Sequence, residues 1–229
     1  MQKLSALTSQ KVQALGECPY FTTLNERLRH QLAENTHLYQ YERDEVLFWQ
    51  GEPCPGLFIL EKGGVKLFKL SPQGRELIVR VLQEGTTFEE VPVFDGGTNP
   101  VNAAALETSL VWVVETASVQ KLISEHPDLC RQTILNLASN LRMLVGIVEE
   151  LSFYQVTHRL ARLLSQLTPE QLSGSTAVRL KQDDLAARLG TVREVVARSL
   201  RELERSGAIH MKRGQITITD EKALQAWLP

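Results

Sequence analysis

Apolar and polar positions alternate with different periods along this 229-residue chain. Over residues 1–34, Leu24, Leu28 and Leu32 recur at helical spacing, so this stretch is expected to be helical with one apolar face. From about residue 35 to 115 the pattern shortens to strand-like runs: 46-VLFWQGEP-53, 57-LFILEKGGVKLFKLSPQGRELIVRVL-82 and 101-VNAAALETSLVWVVE-115. Gly63-Gly64 and Ser71-Pro72-Gln73-Gly74 read as hairpin turns within it. Many short strands at this spacing predict a sandwich or jelly roll. Helical character returns from Thr116 to about Ser124. A long helix is expected after Pro127, running to about Leu151.

Within that long helix, Ile134, Leu137, Leu141, Leu144, Val148 and Leu151 follow a strict 3-4 spacing. This is the seam of a coiled coil. Asn136, Asn140, Arg142, Glu149 and Glu150 lie off the seam, so a partner helix is favoured over packing within one domain. A two-fold homodimer is the economical solution. The segment 152-SFYQVTHR-159 is the expected hinge into the C-terminal domain.

Beyond it, 182-QDDLAARLGTVREVVARSLRELERSGAI-209 and 210-HMKRGQITIT-219 read as helix, tight turn, helix and β-hairpin. Leu185, Ala186 and Leu189 supply the inner face of the first helix, and Gly190 its left-handed end. Thr191 followed by Glu194 reads as a capping box for the second helix, whose Val195, Val196, Leu200 and Leu203 recur at helical spacing. This is the layout of a winged helix-turn-helix, in which the second helix enters the DNA major groove. Arg193, Glu194 and Arg198 fall in its first two turns. Arginine can grip guanine O6 and N7 with two donors, and a carboxylate can accept from cytosine N4. Thr191, Gln182 and Lys212 complete the expected DNA-contacting set.

Charge placement supports this. Residues 1–151 carry 13 Lys+Arg against 19 Asp+Glu, a net −6, whereas residues 152–229 carry 12 against 8, a net +4. The positive half is the one expected to meet phosphate. Cys18, Cys54 and Cys130 are odd in number and widely spaced, which argues against a disulfide framework and for a reducing cytoplasm. No signal peptide or membrane-spanning run is read. Three thiols do not make a four-cysteine iron–sulfur site. No nucleophile–base pair, metal cluster or glycine-rich phosphate loop is found, so catalysis is not expected. The strands hold no histidine from Gln40 to Glu125, which argues against a jelly-roll metalloenzyme.

The fold expected is therefore α+β: an N-terminal β-roll with flanking helices (1–126), a long dimerisation helix (127–152) and a winged helix-turn-helix (153–229). In that order, these parts resemble the CRP/FNR family of bacterial transcription regulators over nearly the whole chain. The resemblance is carried by 50-QGEP-53, 58-FILEKGGVKLFKLSPQGRE-76, 85-GTTFEE-90, 151-LSFYQVTHRLARLL-164 and 190-GTVREVVARSLRELE-204. It implies a cyclic-nucleotide-binding-like jelly roll, a palindromic promoter site with a TGTGA-like half-site, and contact with RNA polymerase.

The cyclic-nucleotide branch of that family carries a cassette of the type Phe-x-Gly-Glu, followed about ten residues later by Arg-Ser or Arg-Thr. Here 88-FEEVPVFDGGTNPVNAA-104 places Glu89 at the glycine and Pro100-Val101 at the Arg-Ser. Leu144-Val145 stands where the cyclic-AMP receptor has a hydroxyl pair. Each departure removes a polar contact to the nucleotide, and loss of a buried charge-assisted contact costs about 2–5 kcal/mol. Cyclic AMP is therefore not the expected effector. The candidate effector pocket comprises Phe88, Glu89, Glu90, Leu144 and Val145. In cassette character it is similar to nitric-oxide-responsive members that resemble haem sensors. His30, His37, His126, His158 and His210 are ligands in principle, although none sits in a diagnostic motif. No cofactor is the main expectation; haem, or regulation without any ligand, stays open.

Overall fold

A computed structural model describes residues 1–167, 181–212 and 215–228. The chain forms two compact units, Met1–Lys69 with Arg80–Arg142, and Leu70–Val79 with Met143–Pro229.

The β-roll contains β1 (Gln2–Leu4), α1 (Thr8–Glu17), α2 (Glu26–Glu34), β2 (Thr36–Tyr41), β3 (Val46–Phe48), β4 (Gly56–Lys62), β5 (Val65–Leu70), β6 (Glu76–Leu82), β7 (Thr87–Phe88), α3 (Glu90–Asp95), β8 (Asn102–Ala105), β9 (Ser109–Glu115) and α4 (Thr116–Glu125). One sheet has the order β1-β2-β9-β4-β7 and the other β3-β8-β5-β6. Between them lies a core of Phe48, Phe58, Leu60, Val65, Leu82, Phe88, Ala103, Ala105, Val111 and Val113. On the outer face of the first sheet, Leu57, Ile59, Trp112 and Val114 pack with Leu15, Phe21, Leu32, Val119 and Leu122 of the helical layer. Strand β4 is thus covered on both faces, which is why 57-LFIL-60 is a continuous apolar run rather than an alternating one. Gly56 is required by close approach: a Cβ there would sit 2.2 Å from the Val114 carbonyl oxygen.

The N-terminal region departs from the helical expectation. Residues 2–4 form a strand, with Leu4 opposite Leu38, and the helical part that follows is divided into α1 and α2. The break has local causes. Pro19 lacks an amide donor. Asn25 caps α2 by accepting from the Leu28 amide at 3.0 Å. Leu24 therefore lies before α2, buried with Leu32 but not on its helical face.

Helix α5 runs from Pro127 to Phe153, two residues beyond the expected end. After Tyr154 and Gln155 come α6 (Val156–Ser165), α7 (Gln182–Leu189), α8 (Arg193–Arg205), β10 (Ile209–Lys212), β11 (Gln215–Ile218) and α9 (Glu221–Gln225). The expected hinge over 152–159 thus shrinks to two residues between helices. A second core joins Leu160, Leu164, Leu185, Leu189, Val196, Leu200, Leu203, Ile209 and Ile216. The wing strands pair antiparallel, from Ile209 opposite Ile218 to Lys212 opposite Gln215. Their turn, Arg213-Gly214, lies outside the described residues.

Candidate nucleic-acid interface and effector pocket

Gly190 ends α7 in the left-handed region, at φ 62°. Its amide donates to Ala187 O at 3.4 Å, and the Thr191 amide donates to Ala186 O at 3.0 Å. That pattern closes a helix by satisfying its last carbonyls. Because the Thr191 amide is committed to α7, the chain needs one extended residue, Val192, before α8 can begin at Arg193. Val192 is the N-cap and no side chain caps the helix. The expected Thr191–Glu194 capping box is therefore absent, and Glu194, in the first turn, keeps an exposed side chain.

One side of α8 is inward: Val196, Ser199, Leu200 and Leu203 are buried, and Val195 is only partly so. Polar contacts fix how that side is held. The Thr157 hydroxyl on α6 donates to Glu202 Oε2 at 2.8 Å and shares a 3.0 Å hydrogen bond with Ser199. Arg159 Nη1 donates to the carbonyl of Leu189 at 2.8 Å, tying α6 to the end of α7. The Met211 amide donates to Glu204 Oε1 at 2.8 Å, anchoring the wing to α8. Asp184 accepts from the Lys181 amide at 2.9 Å at the start of α7.

What remains outward on α8 is charged. Arg193, Glu194 and Arg198 are exposed, and Lys212 is exposed at the end of β10. Gln182 opens α7 and is half-buried, as is Thr191. Arg201, absent from the sequence-based set, is also exposed, with its Nε donating to Ala197 O at 3.1 Å. It lies three residues after Arg198 and seven after Glu194, so helical spacing was the available signal.

Along α5, the expected seam residues Ile134, Leu141, Leu144, Val148 and Leu151 are 45–64% exposed, and Leu137 is half-buried. Leu135, Val145 and Phe153 are exposed as well, so the apolar band is wider than a two-position seam.

In the cassette region, Phe88 is not a pocket wall. Its position on β7, opposite Phe58 of β4, turns its ring into the core between the sheets. There it stacks on Phe58 at 5.0 Å between centroids, with Phe48 at 6.3 Å. Glu89 takes the left-handed conformation, φ 66° and ψ 30°, although it bears a Cβ. It is buried, and its Oε2 has no hydrogen-bond partner. Burial first, and the charge of Glu90 second, push its carboxyl up to about 8. Glu90 accepts from the Thr87 hydroxyl at 3.3 Å and hydrogen-bonds the Tyr20 hydroxyl. Burial raises its pKa too, opposed in part by those bonds and by Arg80. Leu144 and Val145 stand exposed on α5.

The cysteines are free thiols. Burial pushes Cys18 up to about 12 and raises Cys54, which opposes thiolate reactivity at both. His37 contacts Glu115 at 3.1 Å, His158 lies edge-on to Trp227, and His210 contacts Glu204 at 3.4 Å. Among the described residues no group of three or more His, Cys, Asp or Glu is placed to hold a metal ion, and no helix is long and apolar enough to cross a membrane.

Comparison with known proteins bears on both parts. Residues 38–126 match the family described as cyclic nucleotide-binding domain, and residues 158–227 match the Crp-like helix-turn-helix domain. The chain is 27% identical over 189 residues to the CRP-like cAMP-activated global transcriptional regulator of Mycobacterium tuberculosis, covering 80% of this chain and 84% of that protein. It is 26% identical over 192 residues to the global nitrogen regulator of Synechococcus elongatus, covering 81% and 86%. A solved CRP/FNR-family transcriptional regulator from Thermus thermophilus superposes with a TM-score of 0.68 at 23% identity, over 83% of this chain and 97% of that one. With a cyclic nucleotide-binding domain ahead of a Crp-like helix-turn-helix, the chain belongs to the CRP/FNR family of transcription regulators.

Proposed function

We propose that the chain acts as a homodimer that sets two copies of α8 into successive major grooves of a palindromic promoter site, about 34 Å apart. The observation that carries this reading is the division of α8: its apolar side is buried in its own unit, while Arg193, Glu194 and Arg198 face solvent in its first two turns. The exposed apolar band on α5 supports the second copy. Arg193 and Arg198 read guanines and Glu194 accepts from a cytosine, with Gln182, Thr191, Arg201 and Lys212 on the phosphates. On the promoter the dimer meets RNA polymerase, in the cytoplasm.

Cyclic AMP is not the effector in this reading, because Glu89 sets a buried carboxyl side chain where the cassette needs a glycine. No haem is required either.

Selection of duplexes from a random pool, followed by band shifts, tests the proposal. A two-fold symmetric site is expected. Arg193→Ala should weaken binding by about 1–3 kcal/mol per half-site and relax preference at one guanine. Indifference of the wild-type protein to every duplex would sink the reading.

A further inference from the structure

We propose that the cleft lined by Tyr20, Arg80, Thr87, Glu90, Asn136 and Asn140 binds a small zwitterion, a free α-amino acid, as the effector of the regulator proposed above.

Size is the first argument. The cavity measures about 190 Å³. Sites for drug-sized ligands run to roughly 300–1,000 Å³, so this one suits a metabolite smaller than a nucleotide.

Charge is the second. Arg80 and Glu90 line the same space, yet Glu90 takes its hydrogen bonds from Tyr20 and Thr87 and feels Arg80 only through space. A ligand that satisfies both ends needs a carboxylate for the guanidinium and an ammonium for Glu90. A simple anion meets the carboxyl of Glu90, and a simple amine meets Arg80. Only a molecule carrying both charges avoids repulsion at each end. The Thr87 and Tyr20 bonds fix the orientation of the Glu90 carboxylate, and an ammonium beside it would offset the burial that raises its pKa.

The wall from α5 is the third. Asn136 and Asn140, four residues apart and so on one face of the helix, bring amides to the cavity, and Asn136 Nδ2 donates to the Pro19 carbonyl at 3.3 Å. These residues share α5 with the exposed apolar band. Ligand contact there can bias one arrangement of the helix over another, which is all that an effector needs to do.

Calorimetry on the full-length protein tests this, with each standard protein amino acid in turn as probe. Ethylamine, propionate and cyclic AMP serve as ligands lacking one or both features. At least one amino acid should bind, and none of the three controls should. Arg80→Gln and Glu90→Gln should each weaken binding by roughly thirtyfold or more. Arg75→Gln, in the exposed turn after β5, should leave it unchanged. Should either pocket variant fail to fold by circular dichroism, Tyr20→Phe and Asn140→Ala replace it and should weaken binding in the same assay. The proposal is overturned if no amino acid binds, if propionate, ethylamine or cyclic AMP binds as well as the best amino acid, or if the folded variants bind like the parent. Band shifts on the same preparations report the regulator reading separately, so a failure of DNA binding and a failure of ligand binding are told apart.

Discussion

On α8, Val196, Leu200 and Leu203 are at most 1% exposed, closed in by α6 and α7. On α5, Ile134, Leu141 and Val148 recur at the same kind of spacing and lie open. Periodicity tells that a helix has an apolar side and says nothing about what covers it. For α8 the cover is supplied by the same chain within some 40 residues of sequence. For α5, nothing among the described residues covers it, and a second copy is the proposed cover. One stripe therefore belongs to folding, and the other to association.

Four substitutions sharpen or break that contrast. Leu141→Glu should act on association alone. It places an uncompensated carboxylate in the seam from each copy, at about 3–5 kcal/mol apiece, and should give monomers in sedimentation with an unchanged circular dichroism spectrum. Dimers that persist would mean the band serves something else. Leu200→Ala should do the converse, lowering the stability of the winged unit by about 2–5 kcal/mol, read as a shifted urea midpoint. An effect below that range would mean α8 is less enclosed than its burial indicates.

Glu89→Gln comes next in size and concerns pH. The folded carboxyl titrates near 8, above its ordinary 4.5. Its contribution to stability is therefore fully present below 4.5 and is lost as pH rises through 8. The parent should weaken over that window. The variant should weaken less, gaining on the order of 1 kcal/mol at the alkaline end. Glu90 is raised in the same direction, so part of the slope should remain. Parallel melting-temperature profiles for parent and variant would contradict the assignment. Smallest is Thr191→Ala: a capping threonine would cost about 1 kcal/mol, but here the change should stay within about 0.5 kcal/mol. A larger loss in a urea titration would restore the cap.

The legible parts of this molecule are local. The helix–Gly–helix run, the hairpin turn at 71–74, and the boundaries of α4, α5 and α7 all derive from spacings of a few residues. Gly63-Gly64, expected as a hairpin turn, instead carries the chain from β4 in one sheet to β5 in the other, because a glycine pair marks a turn and not which strands pair. Thr191 misleads because two motifs compete for it: a threonine three residues before a glutamate signals a cap, but the Schellman closure at Gly190 has already taken its amide. Phe88 misleads because membership of a cassette says nothing about which side of β7 a ring occupies; pairing with Phe58 decides that. The Tyr20–Arg80–Glu90–Asn136 cavity leaves no trace in sequence, since its walls come from four separate places and only folding gathers them.

The joint between α5 and α6 has one more consequence. Phe153 ends one helix and Val156 begins the next, and Glu150 pairs with Arg162 across the corner. Two residues leave almost no slack, a reach of roughly 7 Å at full extension. Turning α5 about its own axis is then geared directly into α6, with nothing in between to absorb it. A single residue inserted in the last turn of α5 would put α6 out of phase by about 100°, while an added full turn would nearly restore it. Length in this corner counts by angle rather than by distance.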